Sequence, residues 1–159
     1  MKEIRALTEA DKPWVATQMQ ELWGSPVMVT RGQIYDATML PGLVALEDGV
    51  PLGLLLYHLE HDECEIVSLD SLRQGQGIGT ALINAVCQVA KQAGCKRLWL
   101  ITTNDNLHAL GFYQKRGFRL VAVYPNALEL SRAFKPEIPE IGMGGIALRD
   151  EIELEMPLL

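Results

Sequence analysis

The chain has 159 residues, the length of one ordinary domain and enough to bury a core without disulfide or metal staples. Apolar residues make up 48% and charged residues 21%, and the formal net charge is -6. An acidic chain repels phosphate backbones, which argues against nucleic acid as a partner and leaves cationic amines as molecules its field would attract.

Cys64, Cys87 and Cys95 are odd in number and show no C-x-x-C spacing. They therefore read as reduced thiols rather than a disulfide framework or zinc site. No run approaches the ~20 apolar residues of a membrane span, and the start MKEIRALTEADKPW holds no apolar signal core. A soluble cytoplasmic protein, with no membrane partner, is the expectation.

In chain order, residues 3–6 read as a short strand. Thr8 is an N-cap candidate with Asp11 three residues on, as in a capping box. Trp14, Val15, Met19 and Leu22 recur at helical spacing between Glu9 and Trp23. Gly24-Ser25-Pro26 ends that helix, and a second, shorter helix is expected around Gly32–Thr38. Leu43–Glu47, Pro51–Leu59 and Cys64–Leu69 are strand-like. Asp48-Gly49 and His61-Asp62 supply the turns of an antiparallel meander.

A helix over Ile78–Ala93 follows, with Ile78, Ala81, Leu82, Ala85, Val86, Val89 and Ala90 on one face and Gly94 as its stop. Arg97–Thr102 is a strand, parallel to its predecessor if the helix is a crossover. Asn106–Arg116 is a helix stopped by Gly117, and Phe118–Val123 a strand. Residues 124–148 are an excursion with a helical turn near Asn126–Ala133, and Glu151–Met156 is a closing strand.

The chemistry sits in Leu69-Asp70-Ser71-Leu72-Arg73-Gln74-Gly75-Gln76-Gly77-Ile78-Gly79-Thr80, which leaves a strand and opens a helix. Glycines allow positive φ and close backbone approach. Unpaired N–H groups at a helix start, with the macrodipole behind them, make an anion site suited to a diphosphate. A Walker P-loop would need Lys here, and a dinucleotide fingerprint would need Gly where Thr80 stands and an acid near Cys95.

Gln74-x-x-Gly77-x-Gly79 resembles the Q/R-x-x-G-x-G/A signature of the GNAT superfamily, the GCN5-related N-acetyltransferases. LWLITTNDNLHALGFYQKRGF, ending at Phe118, is similar to the rest of that family's core. The resemblance spans about residues 43–123. It implies a single GNAT-like α+β domain over 1–159: a mixed, mostly antiparallel sheet of about seven strands, a parallel pair splayed at its centre, and about four helices. It also implies acetyl-CoA as co-substrate, with no metal, and direct acetyl transfer to a small-molecule primary amine in a ternary complex. The alternatives left open are a non-catalytic acyl-CoA sensor and a protein or peptide N-acetyltransferase.

By the same resemblance the pyrophosphate takes N–H bonds from Gln74, Gly75, Gln76, Gly77, Ile78, Gly79 and Thr80. Leu69, Ser71 and Leu72 line the pantetheine arm, and Asn104 and Asn106 match coenzyme contacts. Tyr113 matches the general acid toward the leaving thiolate. Glu65 matches a base acting directly or through water, with Glu63 on the same strand face as the other candidate.

The shorter step from Leu69 to Gln74, without the usual Pro, departs from the family pattern. His58, His61, Asp62, Glu63 and Cys64 straddle a hairpin tip and read as solvated rather than metal-binding. Arg149, Asp150 and Glu151 read as a solvated strand end. Trp23 and Arg31 flank the turn that lines the acceptor pocket in the family. The last strand and the 124–148 excursion leave room for a homodimer.

Overall fold

A computed structural model describes residues 2–158. Nine strands and four α-helices are assigned among them. They are β1 (Lys2–Ala6), α1 (Lys12–Trp23), β2 (Val27–Thr30), β3 (Gln33–Asp36), β4 (Gly42–Glu47), β5 (Val50–Glu60), β6 (Glu63–Ser71) and α2 (Ile78–Gln92). Then come β7 (Arg97–Thr103), α3 (Leu107–Lys115), β8 (Arg119–Tyr124), α4 (Ala127–Phe134) and β9 (Glu151–Pro157). Seven strands form one sheet in the order β1-β4-β5-β6-β7-β9-β8, mostly antiparallel, with β6 and β7 the parallel pair. The expected fold class is the one observed.

The chain divides into two compact units. One is built from Met1–Met28, Tyr35–Leu98 and Pro157–Leu159, the other from Val29–Ile34 and Trp99–Met156.

In the first unit β1, β4, β5 and β6 form an antiparallel meander. Its hairpins turn on Asp48-Gly49 and His61-Asp62. All four residues have positive φ, the two-residue geometry that matches strand twist. β5 is the spine: Leu52, Leu54, Leu55 and Leu56 are fully buried. Leu54 and Leu56 pack with Val15 and Met19 of α1.

Gly53 sits under α2. A methyl group there would lie 2.6 Å from Ile78 Cγ2 and 3.0 Å from Leu82 Cδ1. Glycine is what lets the first turn of α2 approach the sheet.

The N-terminal cap forms as expected. The Asp11 carboxylate accepts from the Thr8 N–H at 2.7 Å and pairs with Arg5 at 2.8 Å. These bonds, the Arg5 one first, hold its pKa below the usual carboxylate range. A 3-10 turn occupies Glu9–Asp11, so the α-helix starts at Lys12 rather than Glu9.

The helix expected around Gly32–Thr38 is instead a hairpin, β2 and β3, followed by a 3-10 turn at Ala37–Met39. Val27, Val29, Thr30 and Ile34 favour strands. Arg31 and Gly32 both take positive φ, which no helix interior accepts.

In the second unit α3 is capped by Asn106, whose side chain accepts from the Ala109 N–H at 3.1 Å. The expected helical turn in the 124–148 excursion is the full helix α4. Asp105 ties that excursion down by accepting from the Met143 N–H at 2.9 Å. β8 pairs antiparallel with β9.

Gly53→Ala is expected to destabilise the chain by about 1–3 kcal/mol, the usual cost of overpacking. Chemical denaturation measures it. An unchanged midpoint would show that α2 does not depend on this close approach.

Candidate active site

The glycine-rich turn lies wholly in the first unit. The Leu72 N–H donates to the Leu52 carbonyl at 2.8 Å, the last tie to the sheet. The Ser71 hydroxyl donates to the Arg73 carbonyl at 2.8 Å. Gly75 and Gly77 then take φ of 75° and 69°, and α2 begins at Ile78.

Gln74, Gly75, Gln76 and Gly77 are exposed. Among the described residues, no main-chain carbonyl accepts from their N–H groups. The amides of Ile78 and Gly79 fall in the first helical turn, where the helix itself supplies no acceptor. A Cβ on Gly75 or Gly77 would meet nothing within 4 Å, so these glycines serve conformation and the space above them is open. No acidic residue occupies the first turn of α2. Free amides, an open approach and the positive end of a 15-residue helix make an anion cradle.

The strand leading into the turn carries a polar row. Its register against β5 pairs Glu65 with His58, Ser68 with Leu56 and Asp70 with Leu54, and shifts between Leu56 and Tyr57. Val67 is the extra residue of that bulge. Directly paired residues share a face, so Glu65, Ser68 and Asp70 all lie on the face that α1 covers. Leu69 and Ser71, opposite Leu55 and Gly53, lie on the α2 face.

Glu65 is 3% exposed and accepts from the Tyr35 hydroxyl at 2.8 Å. Burial, then the Glu65 charge, raises the Tyr35 pKa and keeps its hydroxyl protonated. Tyr35 also stands 5.3 Å from the His58 ring. Glu63, the other candidate base, is engaged by Arg97 at 3.2 Å.

Asp70 and Ser68 were not singled out by the sequence reading. Both Asp70 oxygens accept from the Trp23 indole N–H at 3.2 Å. Burial pushes its carboxyl up to about 6. Ser68 is 6% exposed, and among the described residues its hydroxyl has no hydrogen-bond partner. A bulge flips the alternation of a strand, and simple alternation from Glu65 would have put Asp70 on the opposite face.

In the second unit Tyr113 is 8% exposed on α3, its ring edge-on to Phe112 at 5.2 Å and to Phe118 at 5.3 Å. Asn104 is tied to the start of β9. Its amide donates to the Ala147 carbonyl at 2.8 Å, and its oxygen accepts from the Arg149 and Asp150 N–H groups at 3.1 and 2.9 Å. The side-chain oxygen of Asn106 is used in its cap.

The 149–151 segment departs from the solvated end expected. Asp150 and Glu151 are buried, and burial raises the Glu151 pKa. The Arg31 N–H donates to the Glu151 carboxylate at 3.3 Å. The Arg31 guanidinium lies 3.5 Å from the centroid of the Tyr124 ring. His108 stacks on Phe112 at 6.2 Å.

The family model described as the acetyltransferase (GNAT) family matches residues 4–118. The chain belongs to the GNAT family. Its relatives include YdhI of Bacillus subtilis (strain 168), 49% identical over 131 residues and 82% of each chain. YxbD of the same organism is 45% identical over 147 residues and 92% of each chain. Among solved structures, a GNAT family acetyltransferase from Elizabethkingia anophelis with acetyl-CoA bound is 26% identical. It superposes with a TM-score of 0.71 over 99% of this chain and 98% of that one.

In this member of the GNAT family, burial works against all three thiols as nucleophiles. Burial pushes Cys64 up to about 12 and also raises Cys87 and Cys95, so little thiolate exists at neutral pH. No group of three metal-ligating side chains occurs among the described residues. No helix there is long and apolar enough to cross a membrane.

The Asp70 shift has a stability consequence. The ordinary aspartate value is 3.8, and the folded value is about 6. The folded chain holds this proton more tightly, so stability from the neutral carboxyl is intact below 3.8 and lost as pH rises through 6. Asp70→Asn cannot ionise. It is expected to melt a few degrees above wild type at pH 8 and level with it near pH 4, as read by thermal unfolding. A gap of equal size at both pH values would contradict the shift.

Proposed function

We propose that this protein transfers the acetyl group of acetyl-CoA to a primary amine of a small molecule by direct attack in a ternary complex. The observation that carries the reading is the exposed turn Gln74–Gly77, from whose amides no main-chain carbonyl among the described residues accepts. It continues into the first turn of α2 with nothing above Gly75 and Gly77. Such a surface fits a pyrophosphate. Acetyl-CoA brings the activated thioester, and the bound acetyl-CoA of the Elizabethkingia anophelis relative supports that choice of donor.

In this reading the amides of Gln74, Gly75, Gln76, Gly77, Ile78, Gly79 and Thr80 hold the pyrophosphate. The edge of β6 at Leu69, Ser71 and Leu72 guides the pantetheine arm. Asn104 and Asn106 meet the coenzyme through their backbone, because their side-chain oxygens accept hydrogen bonds within the protein.

Tyr113 acts as general acid. An ordinary phenol, with a pKa of about 10, carries its proton at neutral pH and can give it to a leaving thiolate of parent pKa about 8.5. Glu65 acts as base. Its buried carboxylate is oriented by Tyr35, and it takes the amine proton directly or through water. No covalent enzyme intermediate is needed, which agrees with three thiols raised by burial.

The test is release of free thiol from acetyl-CoA across a panel of primary amines. Tyr113→Phe is expected to lower kcat by about 100-fold, within the usual range for proton transfer, with acetyl-CoA affinity nearly unchanged. Glu65→Gln is expected to lower kcat comparably. Turnover with none of the amines would reject the activity, and unchanged turnover in Tyr113→Phe would remove that residue from the chemistry.

A further inference from the structure

The α1-facing side of β6 holds polar groups that the proposed chemistry leaves unused. Ser68 is 6% exposed, directly opposite fully buried Leu56, and among the described residues its hydroxyl has no partner. Native structures seldom leave a buried hydroxyl unpaired. Two residues on, Asp70 lies on the same face, opposite fully buried Leu54.

A carboxylate offers about four lone-pair sites. Asp70 receives one indole N–H, shared between its oxygens at 3.2 Å each, and among the described residues no Lys or Arg pairs with it. A half-used carboxylate and an unused hydroxyl thus stand on one strand face, on residues whose Cα atoms are about 7 Å apart.

We propose that Asp70 and Ser68 are the docking point for the ammonium group of the acceptor. The proposal rests on the amine-acetylation reading and adds the residues that select a cationic head. An ammonium is compact and has three N–H donors and no acceptor. It can donate to an Asp70 oxygen, with another N–H directed along the strand face toward Ser68, and its charge offsets that of a carboxylate beside buried leucines. A carboxylate ligand would be repelled by Asp70 and Glu65. A neutral alcohol would leave the Asp70 charge unbalanced.

Trp23 completes the arrangement. Its indole pins both Asp70 oxygens. It is 46% exposed, so the carboxylate lies behind a side chain that reaches solvent.

The Trp23 indole N–H reports directly on this site. Its signal in a 1H–15N spectrum of the full chain, assigned by its loss in Trp23→Phe, is followed at constant ionic strength and pH 7.5. The probes are n-butylammonium chloride, n-butanol and sodium butyrate. A saturable movement with n-butylammonium alone is expected.

Asp70→Asn is expected to weaken that binding at least tenfold, and Ser68→Ala by about threefold to tenfold. Ser68→Ala should also raise the melting temperature of the free protein, because it removes an unpaired buried hydroxyl. A purely structural serine would not couple those two opposite changes. Retained Trp14 and Trp99 indole signals show that each variant is folded. A Trp23 signal indifferent to n-butylammonium, or one that moves equally in Asp70→Asn, overturns the proposal. Because the readout is binding, a protein that holds the amine but transfers no acetyl group would count against the catalytic reading and not against this site.

Discussion

The contact on which the first unit depends is the close approach of α2 to β5 at Gly53. Ile78 and Leu82 occupy the space a side chain would take there. That approach plants the start of α2 directly beyond the end of β6, and the residues between must turn sharply. Gly75 and Gly77 make the turn with positive φ. The result is a row of amides at a helix start with open space above it. A protein with no use for an anion there would be expected to close those amides with its own carbonyls or a capping side chain. This one has Gly77 at the cap position and no side-chain cap.

β6 serves two faces at once, and the bulge at Val67 makes this possible. On one face Leu69 and Ser71 follow the α2 layer. On the other, Glu65, Ser68 and Asp70 line up beneath α1 despite their uneven spacing. Burial separates the two acids by environment. Glu65 is oriented by a protonated tyrosine, whereas Asp70 is held by an indole edge and is pushed toward neutrality. Two carboxylates with different partners are suited to different tasks. In the proposed reaction Glu65 serves proton transfer, and Asp70 serves recognition.

Much of this was legible in the chain itself. Asp48-Gly49 and His61-Asp62 announced the meander, and Gln74-x-x-Gly77-x-Gly79 announced the turn, because such turns demand particular residues whatever the tertiary context. Other features depend on context. The segment read as a helix over Gly32–Thr38 is a hairpin, and its strand-favouring residues with Arg31-Gly32 at the tip were the missed signal. The face occupied by Asp70 and Ser68 turned on one bulged residue, which alternation cannot reveal. The buried Glu151 carboxylate accepts from the N–H of Arg31, 120 residues away in sequence, a contact no local pattern encodes.

The central claim is that the amides from Gln74 through the first turn of α2 hold a pyrophosphate. Titration calorimetry of the full chain with CoA and, in parallel, with pantetheine tests it most directly, because pantetheine keeps the thiol arm and lacks the phosphates. The account predicts saturable heat with CoA and at least 100-fold weaker binding of pantetheine. It also predicts that the N–H signals of Gln74–Gly79 move only with CoA. No heat with CoA, or equal affinity for the two, would contradict it.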